Sequence, residues 1–98
     1  MQKMRFESIK PSTRKNKKLM ITFSNPKKTI HFGSKNSKTF LDHNDKKKRE
    51  NYILRHQVNE NWNDPLTAGT LSFYLLWGSS TDLNTNLKKY LNHFNIIM

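Results

Sequence analysis

Positive charge is concentrated in the first half of this chain, and this limits where a hydrophobic core can form. Residues 1–49 carry fifteen of the eighteen Lys and Arg residues and three acids, hence a net charge of +12. Residues 50–98 carry three basic residues and four acids, hence −1. Because unpaired charges are rarely buried, the first half can supply only part of a core. The second half contains both tryptophans, and we expect it to supply most of the packing.

The length and composition predict one small soluble domain. The chain has 98 residues and no cysteine, so no disulfide contributes to its stability. No apolar segment of the signal-peptide type follows the basic start. The longest apolar run, residues 73–77, is far shorter than the roughly 20 residues that cross a membrane. We therefore expect no membrane span.

The first third of the chain predicts a tail followed by a hairpin. Residues 1–18 contain seven Lys and Arg residues and few apolar ones, which predicts a flexible basic tail outside a domain formed by residues 19–98. Residues 24–28 form a turn between two alternating segments, which predicts a β-hairpin over residues 19–33. The alternating apolar residues are Leu19, Ile21, Phe23, Ile30 and Phe32. Residues 39–41 are a candidate third strand.

Three helices are predicted after the hairpin. Asn44 or Asp45 can cap a helix over residues 46–57. Asp64-Pro65 predicts the start of a second helix, which Gly78 ends. Ser79 and Asp82 have capping-box spacing before a third helix with a regular apolar stripe. The stripe consists of Leu83, Leu87, Tyr90, Leu91 and Phe94. The expected fold is α+β, a small antiparallel sheet with three helices packed on its apolar face.

The cations of the first half predict contact with a polyanion. Soluble surfaces normally mix charges of both signs, whereas this half does not. Cations in the first turn of the helix over residues 46–57 also oppose the helix dipole, so we infer that a partner requires them. The partner is nucleic acid phosphate or an acidic protein surface. The candidate binding residues are Arg14, Lys15, Lys17, Lys18, Lys27, Lys28, Lys46, Lys47, Lys48 and Arg49.

No pattern in the chain predicts catalysis, a cofactor or a metal site. His56 and Glu60 are four residues apart, but no third strong ligand accompanies them. The chain has three glycines and neither a phosphate-binding glycine loop nor a nucleophile elbow. Phe23 and Phe32 could stack on bases, but their alternation favours a place in the core. We expect a protein that is not an enzyme and that has no cofactor and no metal.

The second half carries a string of uncommon residues in a fixed order. It reads Tyr52-Ile53-Leu54-Arg55-His56, Glu60-Asn61-Trp62, Asp64-Pro65, Thr67-Ala68-Gly69, Leu71-Ser72 and Leu76-Trp77. This string resembles the RH…ENW.DP.TAG..S…LW pattern of a family of small basic proteins of nucleocytoplasmic large DNA viruses. Two positions depart from that pattern, with Phe73 in place of a basic residue and His93-Phe94 in place of Arg-Phe. The resemblance covers residues 17–94 and implies a viral origin.

The residues of this string form either an interhelix clamp or a recognition patch for a partner protein. In the favoured interpretation, the clamp, both tryptophans pack over Ala68-Gly69 and Glu60 pairs with Arg55. The string's structural residues are Arg55, His56, Glu60, Trp62, Pro65, Gly69 and Trp77.

Two functions are compatible with the basic first half and the implied viral origin. The first is a non-enzymatic structural protein of the virion, a minor capsid or cement-type component that contacts acidic neighbours through its basic N-terminal half. The alternative is a nucleic-acid-binding protein without sequence specificity that is associated with the viral genome. In both cases we expect the protein in the virion, and in the host cytoplasm or nucleus during assembly.

Overall fold

A three-stranded antiparallel sheet precedes the helices in the computed structural model, which describes residues 4–98. The strands are β1 (Arg5–Pro11), β2 (Lys17–Ser24) and β3 (Lys28–Ser34), in the spatial order β1-β2-β3. The helices are α1 (Phe40–His43), α2 (Lys46–His56), α3 (Ala68–Leu71), a π-helix (Ser72–Leu76) that continues α3, and α4 (Leu83–His93). The predicted α+β class is therefore confirmed.

The hairpin lies where the alternation predicted it. In the β2–β3 pair, Leu19 lies opposite Phe32 and Ile21 lies opposite Ile30, so these four side chains share one face of the sheet. Phe32 is fully buried, as are Ile21 and Phe23 on β2. Phe23 and Phe32 consequently belong to the core and offer no surface to a base.

The predicted tail is wrong for its described part, because residues 5–11 form a strand. β1 pairs with β2, and Phe6 and Ile9 pack against the core. On the other side, the N–H of Phe6 donates to Ile97 O (2.6 Å), and the N–H of Ile97 donates to Met4 O (3.0 Å). β1 forms with few apolar side chains because, at this end of the strand, partners on both sides satisfy the hydrogen bonds of its backbone. Residues 1–3 of the predicted tail lie outside the described residues.

Residues 39–41 begin a helix and do not form the candidate third strand. Thr39 is the N-cap of α1, and Asp42 Oδ2 accepts hydrogen bonds from the backbone N–H of Thr39 (2.7 Å) and from its hydroxyl (3.2 Å). These hydrogen bonds stabilise the carboxylate, with the backbone one contributing most, and hold the pKa of Asp42 below its ordinary value. This capping box outweighs the local strand preference of Thr and Phe.

The helix predicted to start at Asp64-Pro65 starts three residues later. Asp64 Oδ1 accepts from the N–H of Leu66 in a turn, and Thr67 is the N-cap of α3. Pro65 lies outside the helix, and its carbonyl accepts a hydrogen bond from the Tyr90 hydroxyl on α4 (2.6 Å). The following π-helix ends where the N–H of Trp77 donates to Ser72 O (3.0 Å).

Helix α2 starts where the sequence predicted, whereas α4 starts at Leu83, three residues later than a box with Ser79 as the N-cap implied. Asp45 caps α2 by accepting hydrogen bonds from the N–H groups of Lys47 and Lys48. Asp82 is the N-cap residue of α4, and the Thr85 hydroxyl donates to its carboxylate (2.7 Å). The predicted box between Ser79 and Asp82 is not formed, because the Ser79 hydroxyl accepts from Lys89 Nζ (2.8 Å).

The core lies between one face of the sheet and the elements of the second half. Most of its residues come from the second half of the chain, as the charge distribution predicted. The buried core residues are Ile21, Phe23, Phe32, Leu71, Leu75, Leu76, Leu87, Tyr90, Leu91 and Ile96. Helix α2 contributes one buried residue, Tyr52, so it is attached at the margin of this core.

Candidate polyanion-binding surface

Two loops meet at one end of the sheet and bring separate cations together. Lys17 pairs with Ser34 across β2 and β3, and the N–H of Lys35 donates to Asn16 O (3.3 Å). The β1–β2 turn therefore lies beside the loop between β3 and α1. We call this region the basic end, and its cations are Arg14, Lys15, Lys17, Lys18, Lys35 and Lys38.

A groove adjoins the basic end between the β3–α1 loop and α2. It consists of two neighbouring cavities, both lined by Ser37, Arg55 and Trp77, and we call it the Trp77 groove. The Tyr52 cavity, of about 310 Å³, is also lined by Tyr52 and His56. The second, the Lys48 cavity, measures about 420 Å³, and its further lining residues are Lys38, His43, Lys48 and Asn51. Ser34 borders the Tyr52 cavity, so the groove is continuous with the basic end.

Four aromatic rings in contact with one another form the floor of the groove. Trp77 lies parallel to Tyr52, with ring centroids 4.4 Å apart, and His56 stacks on Tyr52 at 4.2 Å. Because two rings at these distances cannot share one face, both faces of Tyr52 are covered. His43 lies against Trp77 at 5.4 Å. Burial, together with the nearby charge of Glu60, raises the pKa of the Tyr52 phenol, which stays protonated at neutral pH.

The cations of this surface make no close ion pair with a carboxylate in the described part of the chain, although Asp42 lies near enough to Lys18 to interact with it electrostatically. Among residues 4–98, no Lys or Arg side chain lies within ion-pair distance of an Asp or Glu; the one ion pair joins His56 Nδ1 and Glu60 Oε2 (2.9 Å). This contact does not meet the geometry of a hydrogen bond, and Glu60 Oε2 has no hydrogen-bond partner among the described residues. The predicted Glu60–Arg55 pair is therefore wrong, and Arg55 lines both cavities instead.

The structure separates the predicted cation clusters. Lys48 joins the basic end through the groove, whereas Lys27 and Lys28 lie at the opposite end of β2. Lys46 and Lys47 are exposed on the first turn of α2. Arg49, from the same predicted cluster, makes its hydrogen bonds within the protein.

The Arg49 side chain forms hydrogen bonds with the backbone of another segment of the protein. Its Nε donates to the carbonyls of Trp77 and Gly78, at 3.0 Å each, and its guanidinium lies 5.7 Å from the ring centroid of Phe40. The sequence predicted a partner contact for Arg49, but these bonds join α2 to the end of the π-helix. A Cβ on Gly78 would meet the Tyr74 carbonyl and the Asn86 amide, so only glycine fits beside this contact.

The sequence patterns did not predict three cations of this surface, Lys35, Lys38 and Arg55. Lys35 and Lys38 are single lysines in a polar loop, whereas the predicted clusters consist of neighbouring cations. Arg55 was assigned to the structural clamp. Their position directly after the basic hairpin was a signal in the sequence that both lysines could belong to the basic surface. The hydrogen bond between Lys35 and Asn16 brings their loop to the end of the sheet that carries Arg14 and Lys15.

The residues of the family-like string make structural contacts, with partners other than those predicted. Trp62 stacks on Phe73, with centroids 3.8 Å apart and an interplanar angle of 6°, so an aromatic side chain has a clear role at position 73. Gly69 faces the Glu60 carboxylate, which a Cβ would contact. Gly69 therefore leaves room for the Glu60 side chain. The clamp interpretation had expected the two tryptophans to pack here.

The described residues also limit other kinds of site. In residues 4–98, no three His, Asp or Glu side chains are grouped so as to hold a metal ion. None of the helices in this part of the chain is long and apolar enough to cross a membrane.

Comparisons with known proteins point to one family. No curated protein and no solved structure matches the chain. A family profile matches residues 7–56, which run from β1 to the end of α2 and include the basic end and most of the groove. The chain therefore belongs to the family of unknown function DUF5754.

Proposed function

We propose that this protein is a non-enzymatic nucleic-acid-binding protein that holds the phosphate backbone along the basic end and the Trp77 groove. One observation carries the proposal: the cations of the basic end and of the Trp77 groove share a continuous surface, and among residues 4–98 no carboxylate lies within ion-pair distance of them. Cations of this kind gain affinity for phosphates through the release of counterions.

The aromatic residues support binding without sequence preference. Phe23 and Phe32 are fully buried, and both faces of Tyr52 are covered by neighbouring rings. Single-strand binders use open ring faces as platforms for bases, and these three rings present none. Contacts to phosphates position a nucleic acid but carry no direct sequence information.

The test is the salt dependence of binding to DNA and RNA oligonucleotides, measured by fluorescence anisotropy. With about 6–10 phosphate contacts, affinity falls by roughly 10³–10⁵-fold between 50 and 200 mM salt. Salt-insensitive binding, or no binding at the lower concentration, would refute the proposal.

Two charge-reversal variants locate the surface. The double variant K15E/K35E changes the basic end, and K27E/K28E makes the same change in net charge at the opposite end of β2. We expect the first to lower the slope of log affinity against log salt by about 2, and the second to leave it nearly unchanged. Equal effects would mean that only net charge matters and that the basic end is not the binding surface.

A second candidate function is a structural component of a virus particle, in contact with an acidic protein neighbour. The observation that favours it is an exposed apolar pair at the C-terminal end of α2, where Leu54 is 55% exposed and Val58 is 74% exposed. Arg55 lies between them in sequence, so a partner with an apolar centre and an acidic rim would fit.

Fractionation of purified virus particles tests this second function. Purified particles would contain the protein in the shell fraction, and L54E/V58E would prevent its incorporation while leaving nucleic-acid binding intact. Recovery of the protein with the genome instead, or normal incorporation of the variant, would exclude the structural function.

A further inference from the structure

We infer that the Lys48 cavity binds a single phosphomonoester group, the terminal phosphate of a nucleic-acid strand. This inference rests on the proposed function and names the part of the nucleic acid that the groove takes. The cavity is lined by three cations, Lys38, Lys48 and Arg55, and by the polar groups of Ser37, His43 and Asn51. No acid lines it.

The lining consists mainly of hydrogen-bond donors. Lys and Arg side chains donate and never accept, and the Ser37 hydroxyl and the Asn51 amide can both donate. Around a cavity without carboxylates, this set of donors matches a ligand that only accepts hydrogen bonds. A fully ionised phosphate group is such a ligand.

His43 adds a donor that lacks an acceptor within the protein. Its Nδ1 accepts a hydrogen bond from the N–H of Asp45 (2.9 Å), so the proton of the neutral ring is on Nε2. In the described part of the chain, this Nε2 is buried and has no hydrogen-bond partner. An unpaired buried donor is unfavourable. Because Nε2 is buried, a phosphate oxygen in the adjoining cavity would pair with it only after the side chains that cover it move aside.

The charge of the site selects a terminal phosphate over an internal one. A phosphomonoester carries close to two negative charges and three terminal oxygens, whereas a phosphodiester carries one charge. Three cations around one cavity therefore favour the monoester. The volumes of the two cavities, about 310 and 420 Å³, fall in the range of roughly 300–1,000 Å³ typical of small-ligand sites. The Tyr52 cavity thus has room for the terminal nucleoside, and the basic end continues along the strand.

The experiment compares single-stranded oligonucleotides that differ only in a 5′-phosphate, a 3′-phosphate or unphosphorylated ends. Competition anisotropy at constant salt would show about tenfold tighter binding of a phosphorylated strand, the gain expected for charge-assisted hydrogen bonds. The variants R55Q and K48Q would remove this preference. The matched variant K15Q/K35Q at the basic end would weaken all strands and keep the preference.

The outcomes separate this inference from the proposed function. If all strands bind equally, or if the preference survives in R55Q and K48Q, the terminal-phosphate site is wrong while nucleic-acid binding stands. If no strand binds, the proposed function fails, and a nucleoside 5′-monophosphate becomes the probe. Shifts of the His43 ring resonances on its addition, absent in R55Q, would retain the phosphomonoester site; no shift would overturn it as well.

Discussion

The indole ring of Trp77 lies parallel to the phenol ring of Tyr52, with their centroids 4.4 Å apart and an interplanar angle of 4°. This contact joins α2 to the residue that ends the π-helix. Arg49 strengthens the same connection, because its Nε donates to the Trp77 carbonyl. The same contact therefore forms the floor of the groove and attaches α2, so the proposed binding surface requires that this helix is docked.

Replacing Trp77 with Ala should cost about 3–5 kcal/mol of the free energy of unfolding, because it removes the stack on Tyr52 and leaves a cavity. Urea denaturation measures this loss. W77F keeps a ring against Tyr52 and serves as the control, with a smaller loss. A loss below about 1 kcal/mol for W77A would mean that other contacts hold α2.

Two substitutions of Trp62 separate the contribution of its ring to stability from that of its N–H group. Its Nε1 is buried and has no hydrogen-bond partner among residues 4–98, while its ring stacks on Phe73. W62F keeps the stack and removes the unpaired donor, so we expect its stability to stay within about 1 kcal/mol of wild type. W62A should lose about 3 kcal/mol. Equal losses in thermal denaturation would indicate that the indole N–H has a partner.

Removal of residues 1–11 should abolish cooperative unfolding, because it deletes β1 and exposes the edge of β2. Circular dichroism on heating measures this. Within β1, F6A should cost about 2 kcal/mol, since Phe6 is partly buried against the core. Lys10 is exposed on the same strand, and K10A should change stability by less than about 0.5 kcal/mol. A truncated protein that melts like the full chain would restore the flexible-tail interpretation.

The first turn of α2 should become more stable when its cations are reversed. K46E/K47E replaces two exposed lysines near the positive end of the helix dipole, and each favourable charge contributes about 0.3–1 kcal/mol. For a domain of this size, we expect a rise in Tm of several degrees. Differential scanning calorimetry would detect it. The control is K88E/K89E in the middle of α4, where stability should fall because the Lys89–Ser79 hydrogen bond is lost. A lower Tm for K46E/K47E would contradict the prediction.

Stability should fall at alkaline pH through Tyr52. The folded-state pKa of this phenol is raised, chiefly by burial, so its contribution is fully present below the unfolded-state pKa of about 10 and is lost as pH rises above that value. The variant Y52F cannot ionise and should lose less stability between pH 9 and about 11. Urea denaturation at each pH measures the difference in the free energy of unfolding between wild type and Y52F. Lysine deprotonation affects both proteins alike, so it cancels in this difference. Identical pH profiles would show that Tyr52 ionises without constraint.

Local patterns in the sequence determined several elements correctly. The alternation of Leu19, Ile21 and Phe23 defined the inner face of the hairpin, since a strand repeats every two residues. Asp45 determined the start of α2, because its side chain reaches N–H groups only two and three residues away. The charge distribution also predicted which half supplies most of the core. These signals act within a few residues, so they can be read without the fold.

Only the tertiary structure decided the contacts between distant segments. β1 is a strand because it pairs with β2, and at its first residue Ile97, more than 90 positions away in the chain, bridges to its other edge. The basic end exists because Lys35 meets Asn16, and Arg49 leaves the predicted cation cluster because the carbonyls of Trp77 and Gly78 accept its Nε–H. The physical reason is that strand pairing and side-chain docking depend on where the core brings segments together, which no local repeat encodes.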